Sequence, residues 1–165
     1  MNAVGKKVRV LVVDDSAFMR KVMQGIISAD ASLQVIGEAG DGREAVALAE
    51  SLRPDVISMD INMPHLDGLG ATEIIMSQNP RPIVIVSSES HEGARGTLRA
   101  LQLGAVDFVS KPASAINLDM NSVRDELTRK LKMAAKVRVV RTATRPSSAM
   151  AMAMLDSKAF LWPML

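Results

Sequence analysis

The run Val56-Ile57-Ser58-Met59-Asp60-Ile61-Asn62-Met63-Pro64 is an apolar stretch that ends in an acid and then turns at once. Val56 to Met59 reads as a short strand buried on both faces, and Pro64 stops its continuation. Asp60 therefore stands at a strand's carboxyl end, the edge where open parallel sheets place their ligands. Val8-Arg9-Val10-Leu11-Val12-Val13-Asp14-Asp15-Ser16 repeats the design: an apolar strand, two adjacent carboxylates and a helix-starting serine. If these strands are neighbours, three carboxylates crowd one rim. Unit charges about 4 Å apart repel by about 4 kcal/mol at an effective dielectric near 20. A divalent cation or shared protons would relieve that, so the rim reads as a magnesium site built around Asp60.

The chain has 165 residues, of which 48% are hydrophobic, enough for one core and an extension beyond it. It contains no cysteine, which excludes disulfides and thiolate metal sites. Lys6 and Lys7 precede an apolar run that stops at Asp14 and Asp15, so the amino terminus is not read as a signal peptide. No run approaches the roughly 20 apolar residues of a membrane span. A cytoplasmic protein without membrane insertion is the expectation. The formal charge of +2 is too small to argue for nucleic acid, and contact with it is not expected.

Apolar runs alternate with amphipathic stretches, the pattern of a parallel sheet with helices on both faces. The strands are expected at Val8–Val13, Gln34–Ala39, Val56–Met59, Ile83–Val86 and Asp107–Ser110. Ser16 is the expected N-cap of a helix whose core stripe is Phe18, Val22 and Ile26. Ala45, Leu48, Ala49 and Leu52 mark a second helix, and Leu69 to Met76 a short third. Thr97 to Leu103 carries Leu98 and Leu101 on one face of a fourth, closed by Gly104. Met120, Val123, Leu127, Leu131 and Ala134 give the last helix a one-sided stripe. Residues 1–136 thus form the domain. The remainder, 137–165, reads as a basic, proline-containing linker and a short methionine-rich apolar tail with no effector domain.

The polar residues at the expected strand ends are Asp14, Asp15, Asp60, Ser87 with Ser88, and Lys111. Magnesium prefers oxygen ligands and keeps several waters, so one or two carboxylates suffice. Asp15 and Asp60 suit that role, with the Asn62 backbone carbonyl as a third oxygen and Asp14 acting through a water. A carboxylate is also a nucleophile toward phosphorus, forming an acyl phosphate. Ser87 and Lys111 then offer a hydroxyl and an ammonium to the remaining phosphoryl oxygens. Taken singly, each feature has an ordinary explanation in turn or capping chemistry; four strand ends supplying one chemistry together do not. His65 and His91 are read as surface loop residues, and Asp60-Ile61-Asn62 lacks the second aspartate a phosphatase uses as general acid.

Leu11-Val12-Val13-Asp14-Asp15-Ser16, Met59-Asp60-Ile61-Asn62-Met63-Pro64, Asp67-Gly68, Val86-Ser87-Ser88 and Phe108-Val109-Ser110-Lys111-Pro112 together resemble a response-regulator receiver domain of two-component signalling. The resemblance implies an α/β, flavodoxin-like receiver fold: a doubly wound five-stranded parallel sheet of order 2-1-3-4-5. It implies that Asp60 accepts a phosphoryl group from a histidine kinase with Mg2+, beside the acidic pocket of Asp14 and Asp15. Asn62 would lend its carbonyl to the metal. Ser87 would be the switch hydroxyl, Lys111 the phosphate-pairing cation, Phe108 the rotating aromatic and Pro112 a cis proline. Asp15-Ser16-Ala17-Phe18-Met19-Arg20, Ser87-Ser88 followed by Thr97-Leu98-Arg99-Ala100-Leu101, and Gly104-Ala105-Val106-Asp107-Phe108-Val109-Ser110-Lys111-Pro112 lean toward the amino-terminal receiver of the chemotaxis protein-glutamate methylesterases. A chemotaxis-type kinase and an effector domain or partner protein are the implied partners. No methylesterase activity is expected of this chain, which lacks the matching serine motif. The rival readings are a stand-alone receiver acting on a partner, a magnesium-dependent phosphohydrolase and a flavin-binding domain.

Overall fold

The computed structural model describes residues 6–88, 91–111 and 120–141. In chain order the elements are β1 (Val8–Val13), α1 (Ala17–Ser28), β2 (Leu33–Ala39), α2 (Gly42–Leu52), β3 (Val56–Met59), α3 (Gly68–Gln78), β4 (Ile83–Ser87), α4 (His91–Gln102), β5 (Asp107–Ser110) and α5 (Met120–Ala134). The strands form one five-stranded sheet of order β2-β1-β3-β4-β5, with every pairing parallel. This is the architecture expected from the alternation of elements, with strand limits within one residue of the expected ones.

The period of two along a strand divides the core. Leu11, Val13, Ile57, Met59, Ile83 and Ile85 face α2, α3 and α4 on one side. Val10, Val12, Val84, Val86 and Val109 face α1 and α5 on the other. With both faces covered, the central strands are apolar at nearly every position, which is why they read as unbroken runs. In α5, Val123, Leu127, Leu131 and Ala134 are buried as their spacing predicts. No helix among the described residues is long and apolar enough to cross a membrane.

Two helix faces differ from the sequence reading. Phe18 is 69% exposed, while Ile26 is buried and Val22 packs against the core as expected, joined by Met19, Met23 and Ile27. Steps of four residues drift about 40° around a helix of 3.6 residues per turn, so Phe18, Val22 and Ile26 do not stay on one line. Mixed steps of three and four do. In α4, Leu98 is 63% exposed, and the packed face carries Gly93, Thr97 and Ala100. That helix also begins at His91 rather than Thr97, which moves His91 from a loop to a helix start. Its small residues allow a close approach: a Cβ on Gly96 would lie 3.0 Å from Ile61 Cδ1. Gly104, at φ 118°, closes the segment after α4 as expected.

The stretch read as linker begins on the domain. Val139 packs against the core on the α2–α3 side, and Arg141 Nη2 donates to the Gln78 carbonyl at 2.7 Å.

Candidate functional site

Strand register brings the acids together. Val13 lies opposite Met59, and the pairing runs one residue further because the Asp60 N–H donates to the Val13 carbonyl at 3.0 Å. Asp14 and Asp60 therefore leave adjacent strands side by side. Ser87 lies opposite Ser110, and the Lys111 N–H donates to the Ser87 carbonyl at 2.9 Å, so Lys111 joins the same rim. Carboxylate oxygens of Asp14, Asp15 and Asp60 all lie within 4.8 Å of one another. Asp14 and Asp60 are each only 3% exposed, whereas Asp15 opens to solvent.

Lys111 bridges the two buried acids, with Nζ 3.2 Å from Asp60 Oδ2 and 3.3 Å from Asp14 Oδ2. The other carboxylate oxygens are held by backbone. Ile61 N–H donates to Asp60 Oδ1 at 2.8 Å, and Ser16 N–H to Asp14 Oδ1 at 2.9 Å. Burial pushes the Asp60 carboxyl up, the Asp14 charge adds to the push and Lys111 opposes it, leaving a pKa of about 6. Burial works against the Lys111 ammonium, but Asp60 and Asp14 together outweigh it and hold its pKa above the ordinary lysine value. One cation thus serves two buried acids, with Asp15 beside them, and the surplus negative charge is what a divalent cation would neutralise.

The loop after β3 is pinned from the far side. Gly68 N–H donates to the Ile61 carbonyl at 2.7 Å, and a Cβ at Gly68 would land on the Asp60 carbonyl oxygen. Only glycine permits that approach. Asp67 then caps α3, its side chain accepting from Gly70 N–H at 2.8 Å.

Of the residues singled out from sequence, Asp14, Asp15, Asp60 and Lys111 converge. Asn62 sits exposed in the β3–α3 loop, two residues past Asp60. Ser87 ends β4 beside the rim, but its hydroxyl pairs with Thr97 Oγ1 of α4 at 2.9 Å. Phe108 is 45% exposed on β5, with Lys130 Nζ 5.0 Å from its ring centroid. Its ring borders a cavity of about 330 Å³ that is also lined by Ser87, Thr97, Leu98 and Leu101. Pro112 lies outside the described residues. His65 is exposed, as expected.

Two contributors escaped the sequence reading. Thr97 is one; its signal was a hydroxyl on the same helix face as Gly93 and Ala100. Arg20 is the other, its Nη1 donating to the Asp14 carbonyl at 2.7 Å and its Nε to Glu38 at 2.6 Å. Charge at Arg20 was visible in the sequence, but nothing local pointed to a carbonyl as its partner.

The family model described as the response regulator receiver domain matches residues 10–121. A protein-glutamate methylesterase/protein-glutamine glutaminase from Pyrococcus abyssi is 49% identical over 137 residues, 83% of this chain and 37% of that protein. Its counterpart from Caldanaerobacter subterraneus is 54% identical over 130 residues, 79% of this chain and 35% of that protein. The chain thus spans little more than a third of these curated relatives. Among solved structures, the response regulator domain of Thermotoga maritima CheB matches at 48% identity and a TM-score of 0.73, covering 81% of this chain and 99% of that one. A chain of the CheX-CheY-BeF3-Mg+2 complex from Borrelia burgdorferi matches at 27% identity and a TM-score of 0.62, covering 76% of this chain and 90% of that one. The expected resemblance is borne out in both sequence and fold, and the chain belongs to the response regulator receiver family.

Proposed function

We propose that this chain is the phosphoacceptor module of a chemotaxis-type response regulator in the cytoplasm. Asp60 takes a phosphoryl group from a histidine kinase, and the change is passed to an effector domain or partner protein. The observation that carries the reading is the convergence of Asp14, Asp15 and Asp60 within 4.8 Å, with Lys111 bridging the buried pair. At pH 7 a carboxyl with a pKa of about 6 is mostly ionised, so Asp60 is available as a nucleophile. An Asp60 oxygen forms a bond to phosphorus as the P–N bond of the phosphohistidine breaks, and the imidazole leaves with the electron pair. Lys111 pairs with the phosphoryl oxygens once they displace its present partners, and Ser87 donates its hydroxyl to another.

The donor set fits magnesium: hard oxygens, a net negative charge and one solvent-facing acid. Asp15 and Asp60 would hold it, with the Asn62 carbonyl as a further oxygen and Asp14 acting through water. When bound it supplies charge neutralisation for the phosphoryl group. The CheX-CheY-BeF3-Mg+2 complex from Borrelia supports this reading for a related receiver. Output of the methylesterase type is supported by relatives near 50% identity, which carry that name over their whole length. Neither a phosphohydrolase nor a flavin site gains support from the comparisons.

The test is phosphorylation of the purified chain by acetyl phosphate with magnesium, read as an intact-mass increase of one phosphoryl group. Asp60→Asn is expected to abolish the increase and chelation of magnesium to suppress it. Undiminished labelling of Asp60→Asn would refute the assignment.

A further inference from the structure

The Ser87 hydroxyl, at the end of β4, turns to α4 rather than to the acids. Ser87 Oγ and Thr97 Oγ1 are 2.9 Å apart, and the two residues are 7% and 6% exposed. Each is the other's side-chain partner among the described residues. Around this pair α4 is pressed against both loops that leave the acidic rim. A Cβ at Gly93 would strike the Ser88 carbonyl oxygen, one residue past Ser87. A Cβ at Gly96 would lie 3.0 Å from Ile61 Cδ1, one residue past Asp60. The helix therefore has little slack on this side, and a buried polar contact in the seam joins Ser87 to it.

From this juxtaposition we propose that Thr97 is a positioning residue for the switch. Its hydroxyl holds Ser87 in the resting arrangement and releases it when a phosphoryl group occupies Asp60. The proposal rests on the phosphoacceptor reading above. A hydroxyl bond to an anionic phosphoryl oxygen is about twice as strong as one between two neutral hydroxyls, so the phosphoryl group wins Ser87. Thr97 is then left with a buried, unpartnered hydroxyl, a costly state. Rearrangement of α4 relieves it by giving that hydroxyl a new partner. Occupancy of Asp60 is converted in this way into a change in the helix that borders the cavity beside Phe108.

The experiment is a titration of the full chain with beryllofluoride at fixed magnesium, followed by fluorine NMR. The variants are Thr97→Val, Thr97→Ala and Thr97→Ser, with Ser87→Ala as the second axis of a double-mutant cycle. Thr97→Val removes the hydroxyl at nearly constant volume and leaves Ser87 unpartnered only in the resting state. It is expected to bind beryllofluoride about fivefold to tenfold more tightly than the parent. Thr97→Ser restores the hydroxyl and should return to within about twofold of the parent. In the Ser87→Ala background, Thr97→Val should change affinity little. Equal or weaker binding by Thr97→Val, or the same gain with and without Ser87, would overturn the proposal. Should circular dichroism show Thr97→Val unfolded, Thr97→Ala carries the same comparison. Failure of the parent itself to bind beryllofluoride with magnesium would strike the phosphoacceptor reading instead.

Discussion

Replacing Asp60 by asparagine should stabilise the metal-free protein at neutral pH, although it removes an ion pair. Asp60 is 3% exposed, and its carboxyl is raised from the ordinary 3.8 to about 6 by burial, with the Asp14 charge adding to the rise. At about 1.4 kcal/mol per pH unit, holding it ionised in the fold costs about 3 kcal/mol near pH 7. A carboxyl whose folded pKa is raised contributes stability that is complete below its unfolded value and lost as pH rises through the folded one. The window therefore runs from about pH 4 to about pH 6. Asparagine keeps the shape without the charge. Lys111 loses one partner but retains Asp14 Oδ2 at 3.3 Å, so the net gain at pH 7 should be about 1–2 kcal/mol. Urea unfolding with a chelator, between pH 4 and 8, measures it. Groups away from the rim are common to the two proteins, so the difference curve reports Asp60 together with its coupling to Asp14 and Lys111. It should be near zero or negative at pH 4 and rise to its full value by pH 7. Magnesium should reverse the order, since a ligand at a hundred times its Kd stabilises by about 2.7 kcal/mol and the variant holds it less well. A variant less stable than the parent at pH 7 without metal, or a difference that does not vary with pH, would refute this account of the rim.

Two further outcomes follow from the packing. Gly68→Ala places a methyl on the Asp60 carbonyl oxygen and should cost about 2–3 kcal/mol in urea unfolding, since overpacking a rigid contact is expensive; a cost under about 0.5 kcal/mol would show that the loop gives way. Lys132 Nζ lies 2.8 Å from Asp30 Oδ2, and its hydrogen bond, aided by Ser32, holds the Asp30 carboxyl down at about 2. A depressed acid contributes stability above its unfolded pKa and loses it as pH falls through the folded one. Lys132→Met should therefore lose about 1 kcal/mol at pH 7, allowing for solvent screening, and nothing near pH 2. Thermal melts across that range check it.

The sheet and the acidic rim were legible because each depends on local pattern. Val10 to Val13 and Val56 to Met59 are buried at every position and apolar at all but Ser58, as strands covered on both faces tend to be, and the acid that follows each marks the rim. Asp14, Asp60 and Lys111 could be found without knowing any angle, since parallel register aligns strand ends. Helix orientation was less legible. Phe18 and Leu98 are as apolar as the residues that are buried, and α1 and α4 carry more apolar side chains than their seams accept. In α4 the contact is made by glycine, alanine and threonine, which a search for large hydrophobic residues passes over. The pairing of Ser87 with Thr97 joins a strand end to a helix across ten residues and depends on the helix's rotation, which spacing alone left open.

The Arg141 contact has a consequence for any tethered module. Strands β1 to β5 run toward the acids, and α3 runs back, so Gln78 and the Arg141 docked on it lie at the pole opposite Asp60. Whatever the polypeptide carries beyond that anchor is leashed from the antipode of the chemistry. A module that answers to the phosphoryl group proposed for Asp60 has a flank of the domain to cross, and the seam of α4 touches the loops after both Asp60 and Ser87.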